Sequence, residues 1–103
     1  MKVVAFVPDL MDRSKVAAAA PGAGFVARAG ALAEAATGAD VVVVDLSRPG
    51  VVDALPGLVA SGVRVVGFGS HVDRDTLEAA KDAGASALPR SEFFRRIGEL
   101  LGP

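Results

Sequence analysis

The chain has 103 residues, enough for one domain with its own core and no need of metal or disulfide staples. With no Cys and a single His, it excludes a disulfide framework, a thiolate zinc site, a thiol nucleophile and a multi-histidine metal centre. Lys and Arg number 11 against 12 Asp and Glu, for a formal net charge of −1 with no long same-sign run. That balance argues against a nucleic-acid groove.

The apolar stretches are far shorter than the roughly 20 residues of a membrane span, and the N-terminus runs straight into a strand rather than a signal peptide. A cytoplasmic protein without nucleic-acid or membrane partners is the expectation. Asn, Gln, Tyr and Trp are also absent while Ala, Val and Gly dominate. A thermophile, a GC-rich genome and an engineered sequence would all produce that bias.

In chain order, residues 2–7 form a first buried strand that ends at Pro8-Asp9. A helix over 12–20 follows, favoured by its alanines, and Pro21-Gly22-Ala23-Gly24 stops it. Residues 25–29 suit a short edge strand, and 31–36 a short helix closed by Thr37-Gly38. The run Val41-Val42-Val43-Val44 is too apolar and too β-branched for an exposed segment, so 40–44 is a central strand buried on both faces. Residues 51–60 give a weaker helix whose regular part is expected near Pro56. Residues 63–69 give a fourth strand with its mouth at Gly69-Ser70-His71. Asp75 and Glu78 make a capping-box-like pair for the next helix, which Gly84 ends. Residues 85–88 are a short fifth strand. Ser91 caps one last helix with Phe93, Phe94, Ile97, Leu100 and Leu101 on a single stripe.

Five strands alternating with helices mean an α/β, three-layer flavodoxin-like (βα)5 domain over 1–103, with a parallel sheet ordered 2-1-3-4-5. In this order the first and third strands flank the ligand crevice, and Asp9 and Asp45 end them. Neighbouring strands lie about 4.8 Å apart, so the two carboxylates are close enough to share a cation such as Mg2+. The competing reading is that each Asp serves a turn or caps a helix, with Asp9 or Asp12 as the cap of the first one.

The segment Asp45-Leu46-Ser47-Arg48-Pro49-Gly50 resembles the phospho-acceptor stretch of response-regulator receiver domains, the CheY-like superfamily. Two further pieces support the resemblance over nearly the whole chain. Residues 65–73 look like the family's fourth strand and its loop, and 79–85 are similar to its Ala-x-x-x-Gly-Ala lead into strand five. The resemblance implies Asp45 as phosphoryl acceptor, Asp9 as a Mg2+ ligand and the Ser47 backbone carbonyl as another.

The chain also departs from the family. Pro8 takes the place of the first of two adjacent acids, and Gly69 that of the hydroxyl residue, with Ser70 one residue late. The family's Lys-Pro after strand five is absent from the shortened Leu88-Pro89-Arg90-Ser91 connection, which leaves Arg90 as the cation on offer, a planar fork in place of a compact ammonium.

These departures favour an atypical or pseudo-receiver: a stand-alone signalling and protein-interaction module, degenerate for phosphorylation and more a binder than an enzyme. Its partner surface is expected at Asp82, Arg90, Arg95 and Arg96, its state a monomer or weak homodimer, and its partner a signalling protein. The alternative is a working phospho-acceptor fed by a histidine kinase, modified on Asp45 with Mg2+, with Ser70 and Arg90 replacing the hydroxyl and the lysine. A second alternative is a small-ligand or anion binder using helix N-termini at the same crevice. His71 is a solvated turn residue on this reading.

Overall fold

The computed structural model describes residues 1–102. Its strands are β1 (Val3–Phe6), β2 (Gly24–Phe25), β3 (Val41–Asp45), β4 (Arg64–Gly69) and β5 (Ser86–Pro89). All pair in parallel, in the order β2-β1-β3-β4-β5. The helices are α1 (Leu10–Ala19), α2 (Leu32–Ala35, entered through a 3-10 turn at Ala29–Ala31), α3 (Val51–Ala60), α4 (Arg74–Asp82), α5 (Arg90–Arg95) and α6 (Ile97–Leu101). This is the doubly wound α/β, flavodoxin-like arrangement expected from the alternation of elements. No helix among the described residues is long and apolar enough to cross a membrane.

The four valines explain why β3 sits in the middle. Side chains alternate across a strand. Val42 and Val44 therefore pack on one face with Leu32, Leu55 and Leu58 of α2 and α3. Val41 and Val43 pack on the other with Val16 of α1, Phe93 of α5 and Leu101 of α6. A strand that is apolar on both sides is stable only where helices cover both. The pairings Phe6↔Val44 and Asp45↔Phe68 then bring the ends of β1, β3 and β4 to one edge of the sheet.

Several element ends differ from the expectation, each for a local reason. Pairing in β2 stops at Phe25 because the chain bends away after the Val26 N–H donates to the Ala5 carbonyl (2.9 Å), so 25–29 is not a strand. α3 begins at Val51 with Pro56 inside it, on the exposed side, where the missing N–H costs one bond and water can take the freed carbonyl. The cap of α4 is Asp73, not Asp75: its carboxylate accepts from the Thr76 N–H (3.2 Å) and hydroxyl (2.7 Å). The last helix is two. Arg96 leaves helical geometry (φ −101°, ψ 8°), with its guanidinium held between Glu92 (3.3 Å) and Glu99 (3.2 Å). Ser91 is not its cap, since α5 already starts at Arg90.

Gly84, after α4, has φ +99°, and a Cβ there would meet Val59 Cγ1 at 2.8 Å. Gly84→Ala should therefore destabilise the domain by about 1–3 kcal/mol through backbone strain plus overpacking. In urea unfolding this would appear as a lower midpoint at unchanged slope.

Candidate functional site

The crevice at the C-terminal ends of β1 and β3 collects three carboxylates and two guanidiniums. Asp9 follows β1, adopts extended backbone (φ −65°, ψ 128°) and is the N-cap of α1, accepting from the Asp12 N–H at 3.0 Å. That amide bond is the main reason its carboxyl is held below the usual carboxylate range; desolvation opposes it, and the Met11 N–H and the Arg90 and Arg48 charges help. Of the two candidate caps, Asp9 is the one used.

Asp45 is the last residue of β3 and almost fully covered, its side chain 5 % exposed. Its Oδ1 accepts from the Ser47 N–H (3.0 Å) and the Ser47 hydroxyl (2.6 Å). Its Oδ2 accepts from Arg48 Nε at 3.3 Å. Both oxygens are thus engaged by two of the three residues that follow, Ser47 and Arg48, in a turn of the kind Asp forms with its own backbone. The Ser47 N–H and hydroxyl both point to the carboxylate.

Arg90 opens α5 and reaches across to α1, donating from Nη2 to Asp12 Oδ1 at 2.6 Å. The Asp12 side chain is 4 % exposed and that of Arg90 47 %, so the pair is dry at one end and wet at the other. The Arg90 guanidinium carbon lies 5.4 Å from the ring centres of both Phe68 and Phe94. Those rings pack with Phe93 in a cluster with centroids 4.9–5.1 Å apart. Hydrogen bonding to Asp12 raises the Arg90 pKa further, with Asp45 and Asp9 adding to the effect, so the guanidinium is permanently charged.

No protein-family model and no curated protein matches the chain. Solved structures do. A putative pilus assembly-related protein from Burkholderia pseudomallei superposes with a TM-score of 0.75 at 14 % identity, over 98 % of this chain and 86 % of that one. The Mn2+-bound form of the response regulator Rcp1 gives 0.73 at 13 %, over 96 % and 90 %. The signal receiver domain of a DNA-binding response regulator from Colwellia psychrerythraea gives 0.71 at 15 %, over 100 % and 99 %.

The fold is that of a CheY-like receiver domain.

Within this receiver fold the expected replacement groups take unequal places. Ser70 lies exposed beyond β4, where its Oγ accepts from the Val72 N–H (3.3 Å) and shapes the turn into α4. At Gly69 itself a Cβ would face Leu46 Cβ (3.6 Å) and Leu77 Cδ2 (3.7 Å), an apolar surrounding. Arg90 does enter the crevice, but bound to Asp12.

The receiver's metal ligands fare similarly. Among the described residues no group of three or more His, Asp or Glu side chains is gathered to hold a metal ion. Mg2+ needs free carboxylate oxygens and room for waters. Here Asp9 caps a helix through Oδ1, both oxygens of Asp45 already accept from its own turn, and two guanidiniums already supply positive charge. The donor set does not suit a divalent cation.

The four residues expected as a partner surface stand in different local settings. Asp82 ends α4, at the opposite end of the sheet from the crevice. Arg96 is held by Glu92 and Glu99. Arg95 lines a cleft of about 450 Å³ with His71, Pro89, Ser91 and Glu92.

Two site residues, Asp12 and Arg48, escaped the reading of the sequence. Asp12 left a signal: with Val16 and Ala20 it occupies the i, i+4, i+8 positions of the buried stripe of α1, where a charge must find a partner. Arg48 is marked only by its spacing of three from Asp45.

Proposed function

We propose that this receiver-fold domain is a protein-interaction module of signalling type whose crevice is held in one state by its own side chains, without phosphoryl transfer and without a metal. The observation that carries this reading is the engagement of both Asp45 oxygens by Ser47 and Arg48. These donors draw electron density from the carboxylate, and Arg48 crowds the less engaged oxygen, Oδ2, so both weaken it as a nucleophile. The groups that would stabilise the transferred phosphoryl are also altered, with Pro8 for an acid, Gly69 for a hydroxyl and Arg90 for an ammonium. Loss of one such stabilising group typically slows a reaction by about 10²- to 10³-fold, and phosphoryl transfer depends mostly on positioning and charge. That the same fold occurs in a putative pilus assembly-related protein is in keeping with a use in assembly.

The test is incubation with Mg2+ and acetyl phosphate, followed by intact mass, alongside Asp45→Ala and a receiver known to be modified. The expected result is no adduct on the wild type while the control is modified. An adduct on the wild type that Asp45→Ala lacks would establish a working phospho-acceptor, make a histidine kinase the natural partner, and overturn the module reading.

A further inference from the structure

Four large apolar side chains are strongly exposed among the described residues, and three of them stand at the crevice end of the molecule. Leu10 (79 %) and Met11 (72 %) open α1, Val72 (75 %) lies in the loop from β4 to α4, and the fourth, Met1, is at the other end of the sheet. Singly, such residues are ordinary. Their grouping on one rim is the informative part.

The charges around them are complementary. Beside Leu10 and Met11 stand Arg13 and Lys15, both exposed and neither within ion-pair distance of a carboxylate among the described residues. Arg13 lies 4.6 Å from the Phe25 ring centre and Lys15 Nζ 5.0 Å from that of Phe94, so aromatic rings fix both cations in place. Across the crevice, around Val72, the first turns of α3 and α4 and the α4 cap carry Asp53, Asp73 and Asp75 against one cation, Arg74. One side of the rim is apolar and, apart from the Asp9 carboxylate that caps α1, basic; the other is apolar and, apart from Arg74 and the Arg48 that holds Asp45, acidic.

We infer that the domain pairs mouth to mouth with a second copy of itself, the Leu10-Met11 side of each rim meeting the Val72 side of the other. A two-fold axis through the crevice satisfies both halves at once, because in a two-fold interface each contact occurs twice. A foreign partner would have to bring its own apolar anchors and both signs of charge, whereas this chain already carries both halves. The pair covers the crevice and shields Asp45 from solvent. It gives the module reading its partner.

The experiment is sedimentation equilibrium of the full chain at low salt, up to about 1 mM, the range in which a contact worth some 4 kcal/mol becomes populated. A reversible dimer is expected, weakened by added salt. Arg13→Glu with Lys15→Glu should raise the dissociation constant about tenfold or more, and so should Asp53→Lys with Asp75→Lys. All four changes in one chain should restore the dimer, since both sides of each contact are then reversed. These positions are exposed, so folding is preserved, and a thermal melt checks it. A monomer over the whole range overturns the pairing and leaves the rim to a foreign partner. A dimer that ignores either reversal, or that the four-fold change does not restore, overturns it as well. An adduct on Asp45 in the mass experiment would leave the pairing standing, and a monomer would leave the reading of Asp45 standing.

Discussion

Arg90→Met is expected to lower stability by about 1–3 kcal/mol, and Asp12→Asn in the same chain to recover most of it. Methionine keeps the apolar contact over Phe68 and Phe94 but removes the partner of a carboxylate that is 4 % exposed. Breaking a fully buried pair costs about 3–5 kcal/mol. The exposure of Arg90 (47 %) admits water to one end of this pair and places the expected loss lower. Neutralising Asp12 as well leaves no buried charge to satisfy, so the two changes should be strongly non-additive in a double-mutant cycle. Equal losses for the single and double variants would mean that Arg90 acts through its charge over the rings and not through Asp12. Added Mg2+ or EDTA should leave the melting temperature of the wild type unchanged, because the crevice carries its own cations.

Gly67→Ala is the second change with a large expected effect. A Cβ at this position in β4 would lie 2.6 and 2.7 Å from Leu46 Cδ2 and Cγ, and Leu46 is itself buried. Overpacking of this kind costs about 1–3 kcal/mol. Leu46 directly follows Asp45, so pushing it off β4 should also disturb the turn in which Ser47 and Arg48 hold the carboxylate. Urea unfolding would give the energy, and the Ser47 amide chemical shift would report the turn. Leu46→Ala alone opens a cavity, yet combined with Gly67→Ala it should cost less than the sum. A full loss in stability with an unmoved Ser47 amide would separate the core contact from the crevice.

The architecture was legible because it rests on local patterns: buried β-branched runs, glycine-marked stops and a regular strand-helix alternation. That Asp9 and Asp45 stand at the same end of the sheet followed from topology, since Asp45 ends β3 and Asp9 comes three residues after β1, its neighbour in the strand order. What stayed hidden depends on contacts made across the fold. Arg90 and Asp12 are 78 residues apart in the chain, and only the packing of α5 beside α1 brings them together. The break at Arg96 was missed because the stripe from Phe93 to Leu101 continues through it, and the two glutamates that hold the guanidinium carry no periodic signal. The cap of α4 was misplaced by two residues because Asp73 and Asp75 look equally suitable until the Thr76 hydroxyl selects one.

The two edges of the sheet bear on how the chain avoids sticking to itself in the wrong way. A Val-Val-Val-Val segment has the composition of a steric zipper, with high β-propensity, no charge and no proline. In the native sheet it is sealed between β1 and β4, while the outer strands offer little to a stray chain. β2 has only two residues, and β5 ends in Pro89, which has no N–H to donate. The hazard therefore belongs to the unfolded chain, before β1 and β4 have covered the valines. Conditions that slow that closure should produce aggregates seeded by residues 41–44, whereas the folded domain should stay free of strand-mediated polymers.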